Sequence, residues 1–179
     1  MTQGDLDREE LGTPQQDALT KSTLIGDARR ITETPCVVPE SADLREAAEA
    51  ISVHRRVHIV AVVDTDGRLA GIIPLRLLLD ELFLEVAPEE FLTDILDRDR
   101  METYGRMVHA RTAGELMQPP VYVAAEDTIG DAFGRMHDHD LEGLPIVDAE
   151  RRPVGYLDRL ELLKVWLREH QSGTSGATG

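Results

Sequence analysis

One order of local signals occurs twice along this chain, and that repetition limits the possible fold more than any other feature. Pro35-Cys36-Val37-Val38 is a short apolar extended stretch entered through proline, and Pro120-Val121-Tyr122-Val123 is another. A helix start follows each, at Asp43-Leu44-Arg45-Glu46 and at Thr128-Ile129-Gly130-Asp131. Both read as capping boxes, in which a side-chain oxygen covers a free N–H group and an acid at the third helical position answers it. The helices carry matching apolar stripes, Leu44, Ala47, Ala48, Ile51 and Ile129, Ala132, Phe133, Met136, each at i, i+3, i+4, i+7. Two β-branched strands joined by an Asp-rich turn come next. They run from Val57 through Asp64-Thr65-Asp66-Gly67 to Ile73, and from Leu144 through Asp148-Ala149-Glu150-Arg151 to Leu157. A second helix closes each unit, with Leu75, Leu78, Leu79, Leu82, Phe83 and Val86 in one copy and Leu162, Leu163, Trp166 and Leu167 in the other. The chain thus reads as an α/β (α+β) protein of two tandem β-α-β-β-α repeats.

The repeats occupy residues 23–86 and 112–170. Residues 87–111 between them read as a helical insert, with Pro88-Glu89-Glu90 as a first turn and Phe91, Leu92, Ile95, Met101, Tyr104 and Val108 on its apolar faces. Thr112-Ala113-Gly114-Glu115 then reads as a further capping box. Residues 1–22 and 171–179 are polar or Gly-rich and lack a sustained apolar period, so they read as a disordered and a flexible tail.

Charge and composition exclude several functions. With 34 Asp plus Glu against 19 Lys plus Arg, the net charge is -15. Phosphate backbones and anionic membranes call for a basic surface, so the chain is not expected to bind nucleic acid. It holds no run of ~18 apolar residues for membrane insertion, and a cytoplasmic location is expected. The single cysteine, Cys36, cannot form a disulfide or a thiolate zinc site within one chain. No Gly-x-Ser-x-Gly elbow, Walker loop or Gly-x-Gly-x-x-Gly fingerprint occurs, so no catalytic residue is assigned and the chain does not read as an enzyme. His137 and His139 lie two apart near a helix end and point away from each other there, so no metal site is assigned.

Ala113-Gly114-Glu115-Leu116-Met117-Gln118-Pro119-Pro120-Val121 resembles the entry motif of the cystathionine β-synthase (CBS) domain. Leu144-Pro145-Ile146-Val147-Asp148 and Val154-Gly155-Tyr156-Leu157 resemble its two central strands. The two copies together are similar to a tandem CBS pair, or Bateman module. That resemblance implies two repeats related by a pseudo-two-fold axis, usually assembled as a homodimer. It also implies an adenosine-type ligand between the copies (AMP, ATP, adenosine or S-adenosylmethionine), no required cofactor, and regulation of a partner protein not identified by the sequence.

In the family's binding signature a glycine and two apolar residues precede a Ser or Thr, and an Asp follows after two variable positions. The second repeat reads Gly155-Tyr156-Leu157-Asp158-Arg159-Leu160-Glu161. The resemblance places Glu161 as the acceptor of ribose hydroxyls, Asp158 where a hydroxyl faces phosphate, and Val123 and Pro145 against the base. The first repeat reads Gly71-Ile72-Ile73-Pro74-Leu75-Arg76-Leu77, lacking both hydroxyl and acid and keeping Arg76 as a phosphate-facing base. Two alternatives stay open: an interaction scaffold with vestigial clefts, and a divalent-cation-responsive regulator.

Overall fold

The computed structural model describes residues 19–86 and 110–172. The expected helical insert lies outside the described residues apart from Ala110 and Arg111.

Each repeat builds one sheet from the elements its sequence announces. In the first, β2 (Cys36–Pro39) runs parallel to β3 (Ile59–Val63), which pairs antiparallel with β4 (Leu69–Pro74). In the second, β5 (Val123–Ala124) runs parallel to β6 (Gly143–Val147), which pairs antiparallel with β7 (Pro153–Asp158). Helices α1 (Leu44–Ser52) and α2 (Leu75–Val86) belong to the first repeat, and α4 (Ile129–Asp138) and α5 (Arg159–Ser172) to the second. The β-α-β-β-α order is present twice. The capping boxes are local and form as read: Asp43 accepts from the Glu46 N–H at 2.8 Å and its own N–H donates to Glu46, while Thr128 and Asp131 do the same. At Thr112 only half a box forms, heading the short helix α3 (Ala113–Leu116). Glu115 turns instead to the Arg111 N–H at 2.7 Å. Both hairpin turns are held alike, since one oxygen of Asp64 or of Asp148 accepts two N–H groups of its own turn.

The two repeats exchange their lead-in segments. β1 (Thr32–Glu33) lies in the lead-in of the first repeat yet pairs antiparallel with β7 of the second, setting Thr32 opposite Leu157 and Glu33 opposite Tyr156. Reciprocally, Gln118 and Ile72 exchange both backbone hydrogen bonds, at 2.9 and 3.1 Å. The crossing chain comes so close to β4 that a Cβ on Gly71 would lie 2.7 Å from the Gln118 carbonyl oxygen, a gap only glycine leaves open. Further upstream, Leu19 is 7% exposed within the core, and the Lys21 carbonyl accepts from the Gly130 N–H at 2.8 Å. The packed chain therefore includes residues that compositional reading assigned to a tail.

The core is aliphatic, as a chain with so few aromatic residues requires, and the central strands β3 and β6 face each other inside it. One stripe residue departs from expectation. Ile129, Ala132 and Met136 are buried but Phe133 is 56% exposed. A helix against a sheet buries its central line, and Phe133 sits at the edge of that line, facing an open cavity beside α5. On α5 the buried line is Leu162 and Val165, which leaves Leu163, Trp166 and Leu167 outside. Where the chain re-enters the described structure, buried Glu81 of α2 accepts the Ala110 N–H at 3.0 Å.

Candidate functional site

The end of β7 and the first turn of α5 bring the second repeat's polar residues to the seam with the first repeat. Asp158 ends β7 and caps α5, its Oδ1 accepting from the Leu160 N–H at 2.7 Å. That local duty accounts for an acid at this position. Its Oδ2 lies 3.3 Å from Nδ1 of His58, contributed by the loop between α1 and β3 of the first repeat. The approach is within ion-pair distance but lacks hydrogen-bond geometry, so the buried Nδ1 has no hydrogen-bond partner among the described residues.

Glu161 stands in the same turn and is buried, with a side chain 9% exposed. A buried carboxylate needs charge and hydrogen-bond partners, and Glu161 has two cations. Arg56 Nη1 of the first repeat donates to Oε1 at 3.1 Å, and Lys164 Nζ, one turn along α5, donates to the same oxygen. Arg56 Nη1 also reaches Glu33 Oε1 of β1 at 3.3 Å. One guanidinium thus ties together the crossing lead-in strand, the first repeat and the second.

The strand residues expected against a ligand lie in the core. Val123, Pro145 and Leu157 are fully buried. Tyr156 is also buried, pairs with Pro145 across the sheet, and accepts the His58 N–H on its phenol oxygen at 3.1 Å. Burial raises the phenol's pKa well above its ordinary value. The His58 hydrogen bond lowers it by less, and Asp158 and Glu142 add to the rise. At Gly155 an added Cβ would meet Ile146 at 3.1 Å, so this glycine serves strand packing. Arg76 lies exposed on the first turn of α2, and neither it nor Glu161, which sits behind Arg56, lines either cavity described next.

A cavity of about 1020 Å³ opens beside Asp158 and His58. Its walls are apolar groups of α4 and α5, including Ile129, Phe133, Leu160 and Leu163, while Lys21, Arg55, Arg56 and Arg159 supply positive charge and Glu142 and Asp158 negative. A smaller cavity of about 470 Å³ is bounded by Glu33, Thr34, His54 and Val57. Arg55 and Arg56 line both. The structure therefore brings Asp158 and Glu161 to one seam, with Tyr156 and Leu157 packed behind it, and leaves Arg76 apart.

Sequence reading missed His58, Arg56, Glu33 and Lys164. The available signal was the Arg55-Arg56 pair directly before a strand in an acidic chain. Among the described residues no three His, Cys, Asp or Glu side chains converge as a metal site. Burial pushes the Cys36 thiol up to about 11, which suits a core residue. No helix among the described residues is long and apolar enough to cross a membrane.

The profile of the CBS domain family matches residues 25–84 and 113–168. A CBS domain-containing protein of Dictyostelium discoideum is 30% identical over 126 residues, which cover 69% of this chain and 76% of the relative. An osmoprotectant import ATP-binding protein of Salmonella typhimurium is 31% identical over 83 residues, 46% of this chain and only 21% of that protein. Among solved structures, a CBS domain-containing protein from Thermotoga maritima superposes with a TM-score of 0.64 at 25% identity, covering 83% of this chain and 97% of that one. CBSX2 in complex with AMP superposes with a TM-score of 0.57 at 24% identity, covering 83% and 98%. The CBS domain pair of protein MJ0100, in complex with 5′-methylthioadenosine and S-adenosyl-L-methionine, gives 0.58 at 20% identity, covering 83% and 98%.

Proposed function

We propose, from the premise that this chain belongs to the CBS domain family and carries the domain twice in tandem, that it is a non-catalytic regulatory module. Its second-repeat cleft takes an adenosine-type ligand and its ligand state is reported to a partner protein. The observation that carries this reading is Glu161, a carboxylate retained at 9% exposure on the seam between the repeats, at the ribose-acceptor position of the family signature. Buried charge is costly, and α5 already has Asp158 as its cap. Ligand complexes of the related CBSX2 and MJ0100 support the ligand class.

Charge then selects within that class. Asp158, 5% exposed, occupies the position that faces phosphate in the family signature. Two like charges near 4 Å repel by a few kcal/mol at a protein surface, so adenosine or S-adenosylmethionine binds more tightly than ATP. A homodimer fits the apolar groups left exposed on the helices outside the cavity, Leu79 and Phe83 of α2 and Leu167 of α5. Calorimetry with adenosine, S-adenosylmethionine, AMP and ATP tests the reading, which fails if none of the four binds. A second reading, an interaction scaffold with vestigial clefts, is favoured by Pro74 and Leu77 replacing both polar signature positions in the first repeat.

A further inference from the structure

We infer that Arg56 is a built-in occupant of the ribose position, a guanidinium that a ligand must displace from Glu161 in order to bind there. The inference rests on the assignment of Glu161 as the ribose acceptor. Both cations on Glu161 converge on one oxygen, Oε1. A vicinal diol gripping a carboxylate uses both oxygens, and the two cations already fill the two lone pairs of Oε1, so one of them has to leave. Lys164 belongs to α5 itself, three residues along, and stays with Glu161 whatever the repeats do. Arg56 comes from the opposite repeat, 105 positions away in sequence, and is 56% exposed, so it is the partner that can leave.

Its surroundings give it somewhere to go. Arg56 already touches Glu33 and lines both cavities, with His58, Asp158 and Glu142 around the larger and Glu33 and His54 around the smaller. Displaced from Glu161, the guanidinium remains within the cleft and can pair with an anionic group on the ligand. Arg56 is therefore a specificity residue with opposite effects on two ligands: it opposes a neutral nucleoside and partly repays a phosphorylated one. It also couples occupancy to the seam, because each binding event breaks an ion pair between the repeats.

The test uses the full chain, with adenosine and AMP as probes. A partly exposed ion pair is worth up to about 1 kcal/mol, about fivefold in affinity. Arg56→Gln should tighten adenosine by about that factor and tighten AMP less or weaken it. In the wild type, raising salt from about 0.05 to about 0.5 M screens the ion pair and should tighten uncharged adenosine, and Arg56→Gln should largely remove that dependence. Adenosine binding by the variant alone would support the inference most directly. Adenosine binding by the wild type that Arg56→Gln leaves unchanged or weakens overturns the inference and leaves the ligand assignment standing. No binding of either probe to either protein overturns both.

Discussion

The backbone N–H of His58 donates to the phenol oxygen of Tyr156 at 3.1 Å, joining residues 98 positions apart. This bond fastens the loop before β3 of the first repeat onto the sheet of the second. It sets the His58 imidazole beside Asp158 and, two residues earlier, Arg56 beside Glu161. Tyr156 shapes the candidate site from behind, as a tether.

Removing the hydroxyl should therefore register in stability. Tyr156→Phe leaves the His58 N–H without its partner and should cost about 1–3 kcal/mol. Gly143→Ala should cost a similar amount through overpacking, because an added Cβ would collide with the Tyr156 phenol. The two substitutions touch, so the double variant should be less destabilised than their sum. Urea midpoints at constant m-value measure all three, and a Tyr156→Phe midpoint equal to wild type would remove the tether from the account.

Acid should weaken the second repeat through Asp127. Burial alone would raise its pKa, but hydrogen bonds from Arg135 and from the Ala124 N–H, with the guanidinium's charge, hold it below the usual carboxylate range. A carboxyl held low in the folded state contributes stability above its unfolded pKa of about 4, and that contribution is lost as pH falls through the folded value. Asp127→Asn should be less stable than wild type at neutral pH, with the difference shrinking towards pH ~3. Thermal melts across that range decide it, and a gap that widens in acid would contradict the assignment.

Ligand selection should respond to the two acids separately. Glu161→Ala should weaken adenosine by about 1.5–3 kcal/mol, the range for a hydrogen bond to a charged group. Asp158→Thr keeps a capping oxygen for α5 while removing the negative charge, and should narrow or reverse the preference for adenosine over ATP. Tight ATP binding that survives Glu161→Ala would place the ligand elsewhere.

Assembly offers a check that does not depend on ligand. Leu79 and Phe83 are exposed on α2 and line neither cavity, so Leu79→Glu with Phe83→Glu should leave the fold intact and break the homodimer. Light scattering should return the mass of two chains for the wild type and of one for the double variant. A single-chain mass for the wild type at micromolar concentration would reject the dimer.

The readable parts of the site were those that depend on neighbours in sequence. Glu161 stood out because the resemblance to the CBS signature puts an acid at that distance from Gly155, and the capping boxes at Asp43 and Thr128 because a cap needs only the next three residues. Tyr156 falls within the binding signature in the sequence, and no local pattern distinguishes that place from a buried tether. Phe133 was read into the stripe because i+4 spacing says which helix face a residue shares. The depth of that face in the sheet is set by the packing partner.

By itself, then, the sequence determined the order β-α-β-β-α, its repetition, the helix starts and the aliphatic core, all consequences of hydrogen bonds and side-chain spacing within a few residues. Only the tertiary structure decided that β1 crosses to β7, that Gln118 crosses to Ile72, and that Arg56 meets Glu161 from the other repeat. These pairings join residues far apart in the chain. Each is chosen by which sheet edge is left unpaired and which buried charge needs a partner once the two repeats have packed, and neither condition exists until they do.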